Sequence, residues 1–290
     1  MNGFLNLRTF LLAGLLTSTC PIVQAAEDVL TSKAESHFLP WEKGSVALGG
    51  FVAAFDDSIG FGVNNAAGVT INPEKLLGLD STLAVFRVAA LYRPGESLRN
   101  QVDFSYGGYH RSGSGTLSEG IIINGNEYGA GTQIRSHLNF DLIRGTYSYA
   151  ILQDERVRIA LGVTVYAVPL SYGLEVNTPD GFRSVGGGST TLPLPALALR
   201  SEFQLIPKLF LNGSIDAMYL EISNFKGSVL DVNVGLEYRP WKHFGFGLDY
   251  NAMSVGVEGE SSHSSYPGAS FVGTVNVRYS GLMLYGKFTF

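Results

Sequence analysis

Cysteine is almost missing from this chain of 290 residues, with Cys20 the single example. That excludes a disulfide framework and any zinc site built on several thiolates. Charge is scarce as well, at 16% of residues against about 25% in an ordinary soluble domain. No segment beyond the N-terminus reaches the ~18 consecutive apolar residues of a membrane-spanning helix, so a helical bundle is excluded. Helical periodicity is nearly absent. The formal net charge of −5 gives no reason to expect a nucleic-acid partner. What abounds is glycine, 36 residues, together with aromatics at 12% and apolar residues at 45%. Mean hydropathy is nevertheless only +0.15. This mixture indicates many strands, each with one apolar face.

Residues 1–25 read as a Sec-type signal peptide. Arg8 precedes a short apolar core from Phe10 to Leu16, and Val23-Gln24-Ala25 fits a small-x-small cleavage site. Thr19 and Pro21 flank Cys20 poorly for lipidation. The expected organisation is therefore a signal peptide (1–25), an N-terminal periplasmic segment (26–44) and a barrel domain (45–290).

Period-two alternation predicts ten strands at about 45–56, 82–93, 100–112, 133–151, 156–172, 193–205, 208–222, 228–239, 244–257 and 270–290, with twelve as the alternative. Most are long enough to cross a bilayer at a tilt, which takes about 9–11 residues. Short turns at 93–96, 153–155, 206–207 and 239–243 alternate with long loops at 57–81, 113–132, 173–192 and 258–269. Such asymmetry belongs to a transmembrane antiparallel up-and-down β-barrel with both termini on the periplasmic side. The faces agree with that reading. Leu230, Val232, Val234, Leu236 and Tyr238 oppose Asp231, Asn233, Gly235 and Glu237. A soluble sandwich would hide the apolar row and expose the polar one. Two segments change face, near Leu142 and near Ser280-Gly281, and a bulge is expected at each. Tyr92, Tyr147, Tyr149, Tyr238 and Trp241 are placed for an interfacial girdle.

Parity puts Arg87, Arg111, Arg135, Arg144, Arg158, Arg200 and Arg278 in the lumen, with Asp103, Asp141, Glu202, Asp216, Asp231, Glu237 and Asp249. No lysine falls in this set. Arginine forms fixed, bidentate pairs with carboxylates, so a paired lumen is expected to be largely filled.

The chain ends Gly281-Leu282-Met283-Leu284-Tyr285-Gly286-Lys287-Phe288-Thr289-Phe290. Leu282, Leu284, Phe288 and Phe290 resemble the C-terminal signal that the barrel assembly machinery reads in bacterial outer-membrane proteins. The mature chain also resembles an uncharacterised family of porin-like, single-domain outer-membrane barrels of Gram-negative bacteria. Two segments carry the likeness, the acidic loop Ile71-Asn72-Pro73-Glu74-Lys75-Leu76-Leu77-Gly78-Leu79-Asp80 and the strand end Gly235-Leu236-Glu237-Tyr238-Arg239. The resemblance implies the fold and a multi-pass place in the cell outer membrane. Lipid and lipopolysaccharide are then the expected surroundings. It implies no activity. Asn72 and Pro73 have the residue types that start a short helix, whose leucines would form a loop lid on the rim.

The search for chemistry yields little. His37, His110, His137, His243 and His263 show no metal-ligand spacing. No phosphate loop follows Gly186-Gly187-Gly188, and no Gly-x-Ser-x-Gly elbow is present. Ten-stranded outer-membrane proteases use carboxylates and a histidine near the outer rim, so Asp56, Asp57, His110 and His137 form the one constellation to weigh. The sequence motifs of those enzymes do not match here. The expectation is a structural or surface-binding barrel that is not an enzyme and has no catalytic residues, metal or cofactor. A narrow porin-like channel for small solutes is the alternative, and an outer-membrane enzyme comes third.

Overall fold

The computed structural model describes residues 41–63, 66–71, 74, 78–117, 120–123, 126–222, 225–261 and 271–290. The signal peptide, Cys20 and most of the 26–44 segment lie outside the described residues. So do Asn72, Pro73 and residues 75–77 of the expected helical lid.

The chain forms strands throughout: β1 (Gly44–Phe55), β2 (Ser58–Val63), β3 (Ala66–Ile71), β4 (Thr82–Tyr92), β5 (Asn100–Thr116), β6 (Ile121–Ile123), β7 (Asn126–Tyr128), β8 (Gln133–Gln153), β9 (Val157–Thr178), β10 (Gly181–Ile206), β11 (Leu209–Ile222), β12 (Phe225–Tyr238), β13 (Phe244–Ser261) and β14 (Phe271–Thr289). Ten of them close an antiparallel barrel in the order β1-β4-β5-β8-β9-β10-β11-β12-β13-β14, and β14 pairs back onto β1. Ser45 stands opposite both Leu91 and Thr289. Closure leaves the barrel no open edge, the condition for spanning lipid with strands. The β2–β3 hairpin extends the sheet from the upper part of β14, and β6–β7 is a separate small hairpin.

Tight turns join strands at the end that carries Gly44 and Phe290. The Asp154 carboxylate accepts the backbone N–H groups of Arg156 and Val157 at 2.8 and 2.7 Å, and these bonds hold its carboxyl below the ordinary range. At the far end the described parts of the segments expected as loops are largely strand. The 173–192 stretch is the top of a β9–β10 hairpin closed by Pro179-Asp180, with Gly181 at φ +102°. Its glycines and hydroxyls resemble loop composition, but outside the bilayer a strand needs no apolar face.

Neither expected bulge exists. β8 keeps one register against β5 from Gln133 to Tyr149, and β14 keeps one register against β1 and β13. The register shifts between Ala150 and Leu152, between Ser184 and Gly186, and between Gln204 and Ile206. Parity is constant along β8 and β14; what changes is the chemistry on each face. In lower β8, Tyr147, Tyr149 and Ile151 face out, with Thr146 and Ser148 buried. In upper β8, Arg135, His137, Asn139 and Asp141 face out, with Ile134, Leu138, Phe140 and Leu142 buried. β14 repeats the exchange. Leu282, Leu284, Phe288 and Phe290 are exposed on the lower wall; above them Tyr279 is buried and Arg278 exposed. The lower wall carries an outward apolar band, including Leu161, Val163, Val234 and Leu248 at about half exposure, above a rim of Tyr92, Tyr149, Tyr238 and Trp241.

Candidate functional site: the barrel lumen

Three layers of side chains occupy the bore. The lowest is a cluster of charges at the end that holds the termini. Glu237, from β12, accepts hydrogen bonds from Arg239 and from Lys287 Nζ at 3.0 Å. Glu42 receives Lys287 at 2.5 Å and Arg239 at 3.0 Å. Burial opposes ionisation of Glu42, but the charges of Lys287, Arg239 and Arg93 prevail and hold its carboxyl at about 2. Beside it, Glu202 accepts from Arg93 and from Arg158 at 3.1 Å. Gln101 bridges the same two guanidiniums, accepting from Arg158 at 2.6 Å and Arg93 at 2.9 Å. Trp41 closes the mouth. Its indole donates to the Asp154 carbonyl at 2.7 Å, and its ring meets Phe210 edge-on at 6.4 Å. The last residues of the segment expected to hang in the periplasm are therefore inside the barrel.

The middle layer runs across the bore. Arg200 pairs with Asp216 at 2.5 Å, and the Tyr166 hydroxyl donates to Asp216 and Asp231 at 2.6 and 3.0 Å. Arg144 lies 3.7 Å from both carboxylates. Asn251 donates to Asp231 at 2.5 Å and accepts from Arg87 at 3.1 Å. Asp103 accepts from Gln101 at 2.9 Å, and Asp249 sits 3.5 Å from the Asn233 amide. Glycine makes room here: a Cβ on Gly235 would stand 1.7 Å from Asp249 Oδ1, and one on Gly247 would stand 2.0 Å from the Tyr285 ring.

The top layer is aromatic. Tyr109 stacks on Phe140 at 4.8 Å and on Tyr279 at 5.3 Å, while Phe51 and Phe55 meet these rings edge-on or tilted. Tyr109, Phe51 and Tyr166 are wholly buried. Arg87 lies over Phe51 at 4.4 Å and Arg111 over Phe55 at 4.1 Å, geometry suited to cation–π attraction. Above this plug Arg111 ties down the loop between β1 and β4. It pairs with Asp57 and with Glu74, the latter at 2.8 Å. Burial and the neighbouring Glu74 charge push the Asp57 carboxyl up to about 6 against the pull of Arg111.

Arg87, Arg111, Arg144, Arg158, Arg200, Asp103, Glu202, Asp216, Asp231, Glu237 and Asp249 thus lie in the bore. Three residues expected there do not. Arg135 is exposed over the Phe182 ring at 3.8 Å. Asp141 is on the outer wall, 3.2 Å from His110 Nε2. Arg278 is exposed on the outer wall. All three sit in upper wall segments, where the polar face points outward. Arg93, Arg239, Lys287 and Glu42 were missed. The first two share parity with Arg87 and Glu237 but look like turn residues. Lys287 alternates with the outward row of Leu284, Phe288 and Phe290, so its parity already points inward, and it puts a lysine in the bore after all. The candidate catalytic group is dispersed, with Asp57 inside the bore against Arg111 and His110 and His137 exposed on the outer wall.

A closed ten-stranded wall, apolar outside and charged inside over its lower half, defines a transmembrane barrel of the outer-membrane class. Among solved structures the chain is similar to the outer-membrane protease OmpT of Escherichia coli. Identity is 11%, with 90% of this chain and all of that one covered, at a TM-score of 0.51. It is also similar to Ail, the attachment invasion locus protein of Yersinia pestis (12%, 86% and 99%, 0.34), and to OprG of Pseudomonas aeruginosa (11%, 86% and 97%, 0.30). At such identities the likeness concerns the fold. No protein-family model matches the chain, and no curated protein does.

Proposed function

We propose that this protein is a sealed outer-membrane barrel that works through its wall and its outer hairpins, as a structural or surface-binding element. The stacked plug of Tyr109, Phe140 and Tyr279 carries this reading. Barrels of about eight strands are filled by side chains and those of 16–18 leave an aqueous channel; here aromatic packing closes the bore above a polar lower half. In this reading residues 1–25 direct Sec export and are removed. Leu282, Leu284, Phe288 and Phe290 present the assembly signal to the barrel assembly machinery, and all four are exposed on one wall. Lipid and lipopolysaccharide surround the apolar band. The function needs no catalysis, a view supported by the separation of Asp57 from His110 and His137 on opposite sides of the wall.

Planar-bilayer recording tests the reading. The wild type should show no steady conductance. The triple variant Tyr109→Ala, Phe140→Ala, Tyr279→Ala should show measurable steps, because it removes the top layer. A large, stable wild-type conductance would put a narrow porin-like channel in its place.

A further inference from the structure

The middle layer does not fill its space. A cavity of about 220 Å³ lies between the lower charge cluster and the aromatic plug. It has room for several ordered waters, or for a small guest and a few waters. Its walls carry polar atoms that the protein leaves unmatched. Asp249 Oδ1 on β13 and Asn212 Oδ1 on β11 are buried and accept no hydrogen bond from the described residues. They flank Gly235, the partner of both residues in the sheet. Asp249 and Asp103 also form no ion pair among the described residues, whereas the neighbouring Asp216, Asp231 and Glu237 are all engaged. Across the bore, Arg144 Nε donates no hydrogen bond to the described residues, and its Nη1 is no closer than 3.7 Å to Asp216 or Asp231.

The chamber thus holds acceptors and an unpaired carboxylate on one wall, and on the other a guanidinium whose Nε is unbonded and which holds Asp216 and Asp231 only at 3.7 Å. A bare cation would satisfy only the first wall, and among the described residues no trio of histidine, cysteine or carboxylate groups stands ready for a metal. An anion would satisfy only the second and would face Asp103 and Asp249. A molecule with both charges satisfies both and adds no net charge to a buried site.

We propose that this chamber is a binding site for a small zwitterion of the α-amino-acid class, its ammonium group directed to Asp249 and Asn212 and its carboxylate to Arg144. The aromatic plug bars the outer side, so access is from the periplasm, past Trp41 and Glu42. The inference rests on the sealed-bore reading. Conductance reports the seal and a binding titration reports the chamber, so the two failures are distinguishable.

The test is calorimetric titration of the full-length barrel in nanodiscs with glycine and L-serine, beside ethylammonium chloride and sodium acetate. At least one zwitterion should bind saturably, and at least tenfold more tightly than either single-charge probe. Asp249→Asn should weaken it at least tenfold and Asn212→Ala about threefold, with heat-modifiable migration confirming a folded barrel. If Asp249→Asn does not fold, Asn212→Ala carries the readout. Trp41→Ala should speed association without abolishing binding. Saturation by neither zwitterion in both the wild type and Trp41→Ala overturns the proposal. Equal binding of a single-charge probe overturns it, as does zwitterion binding unchanged in the folded variants.

Discussion

The lower and upper halves of β8 are one strand in one register, yet they follow opposite rules. Below Arg144 the strand puts tyrosines outside and Thr146 and Ser148 inside. Above it the strand puts Phe140 and Leu138 inside and Asp141 and His137 outside. The lower half obeys the solvent logic of a membrane protein, the upper half that of a soluble barrel. The exchange falls where the outward apolar band ends, so the strand outgrows the bilayer without changing its geometry. The polar lower bore and the apolar upper plug are two consequences of one boundary.

Several experiments can break this comparison. The largest effect is expected at a buried charge in the lower bore. Glu237→Ala leaves Arg239 and Lys287 to share the one carboxylate of Glu42 and should cost about 3–5 kcal/mol in a folding titration in lipid vesicles, because a buried positive charge is then uncompensated. A cost below ~1 kcal/mol would mean that the lower bore is open to water. Next come arginines on the outer wall at two heights. Leu161→Arg should destabilise by about 2–4 kcal/mol, as at a bilayer midplane. Asn139→Arg, on the same face higher up, should stay within about 0.5 kcal/mol. Equal penalties would erase the boundary.

The two ends should also respond to pH with opposite signs. Glu42 has a carboxyl lowered from 4.5 to about 2 in the fold. Its contribution is full above 4.5 and lost as pH falls towards 2. Asp57 is raised from 3.8 to about 6, so its contribution is full below 3.8 and lost as pH rises through 6. Trp41 fluorescence in a Trp241→Phe background should report loosening of the lower mouth in acid. Limited proteolysis between β1 and β4 should quicken from pH 4 to pH 7. Matching pH trends at both ends would contradict these assignments.

Much of the architecture was legible in the sequence, because alternation is a backbone property that reads the same in any solvent. The ten barrel strands, the short turns at the termini and the outward row ending at Phe290 follow from it directly. The failures share one cause. Alternation separates two faces without saying which meets lipid, and the rule that the apolar row faces lipid holds only for the lower half of each strand. Applied to the whole of β8 it turns Leu138, Phe140 and Leu142 outward and requires a bulge to reconcile them with Tyr147. The same assumption drew Arg135, Asp141 and Arg278 into the bore. The lower charge cluster is less legible, since Glu42 precedes the first strand, while Arg93 and Arg239 keep the inward parity but stand beside Pro94 and Pro240 and resemble turn residues.

The β9–β10 hairpin has a mechanical consequence. Its strands stay paired from the polar stretch above the lipid band to the Pro179-Asp180 turn. At ~3.3 Å per residue, about ten residues make a mast some 30 Å long. A peptide spliced into that turn would be carried clear of the headgroups on a stiff support, rather than on a tether that folds back onto the surface. The turn is thus a natural position for displaying a foreign sequence on intact cells.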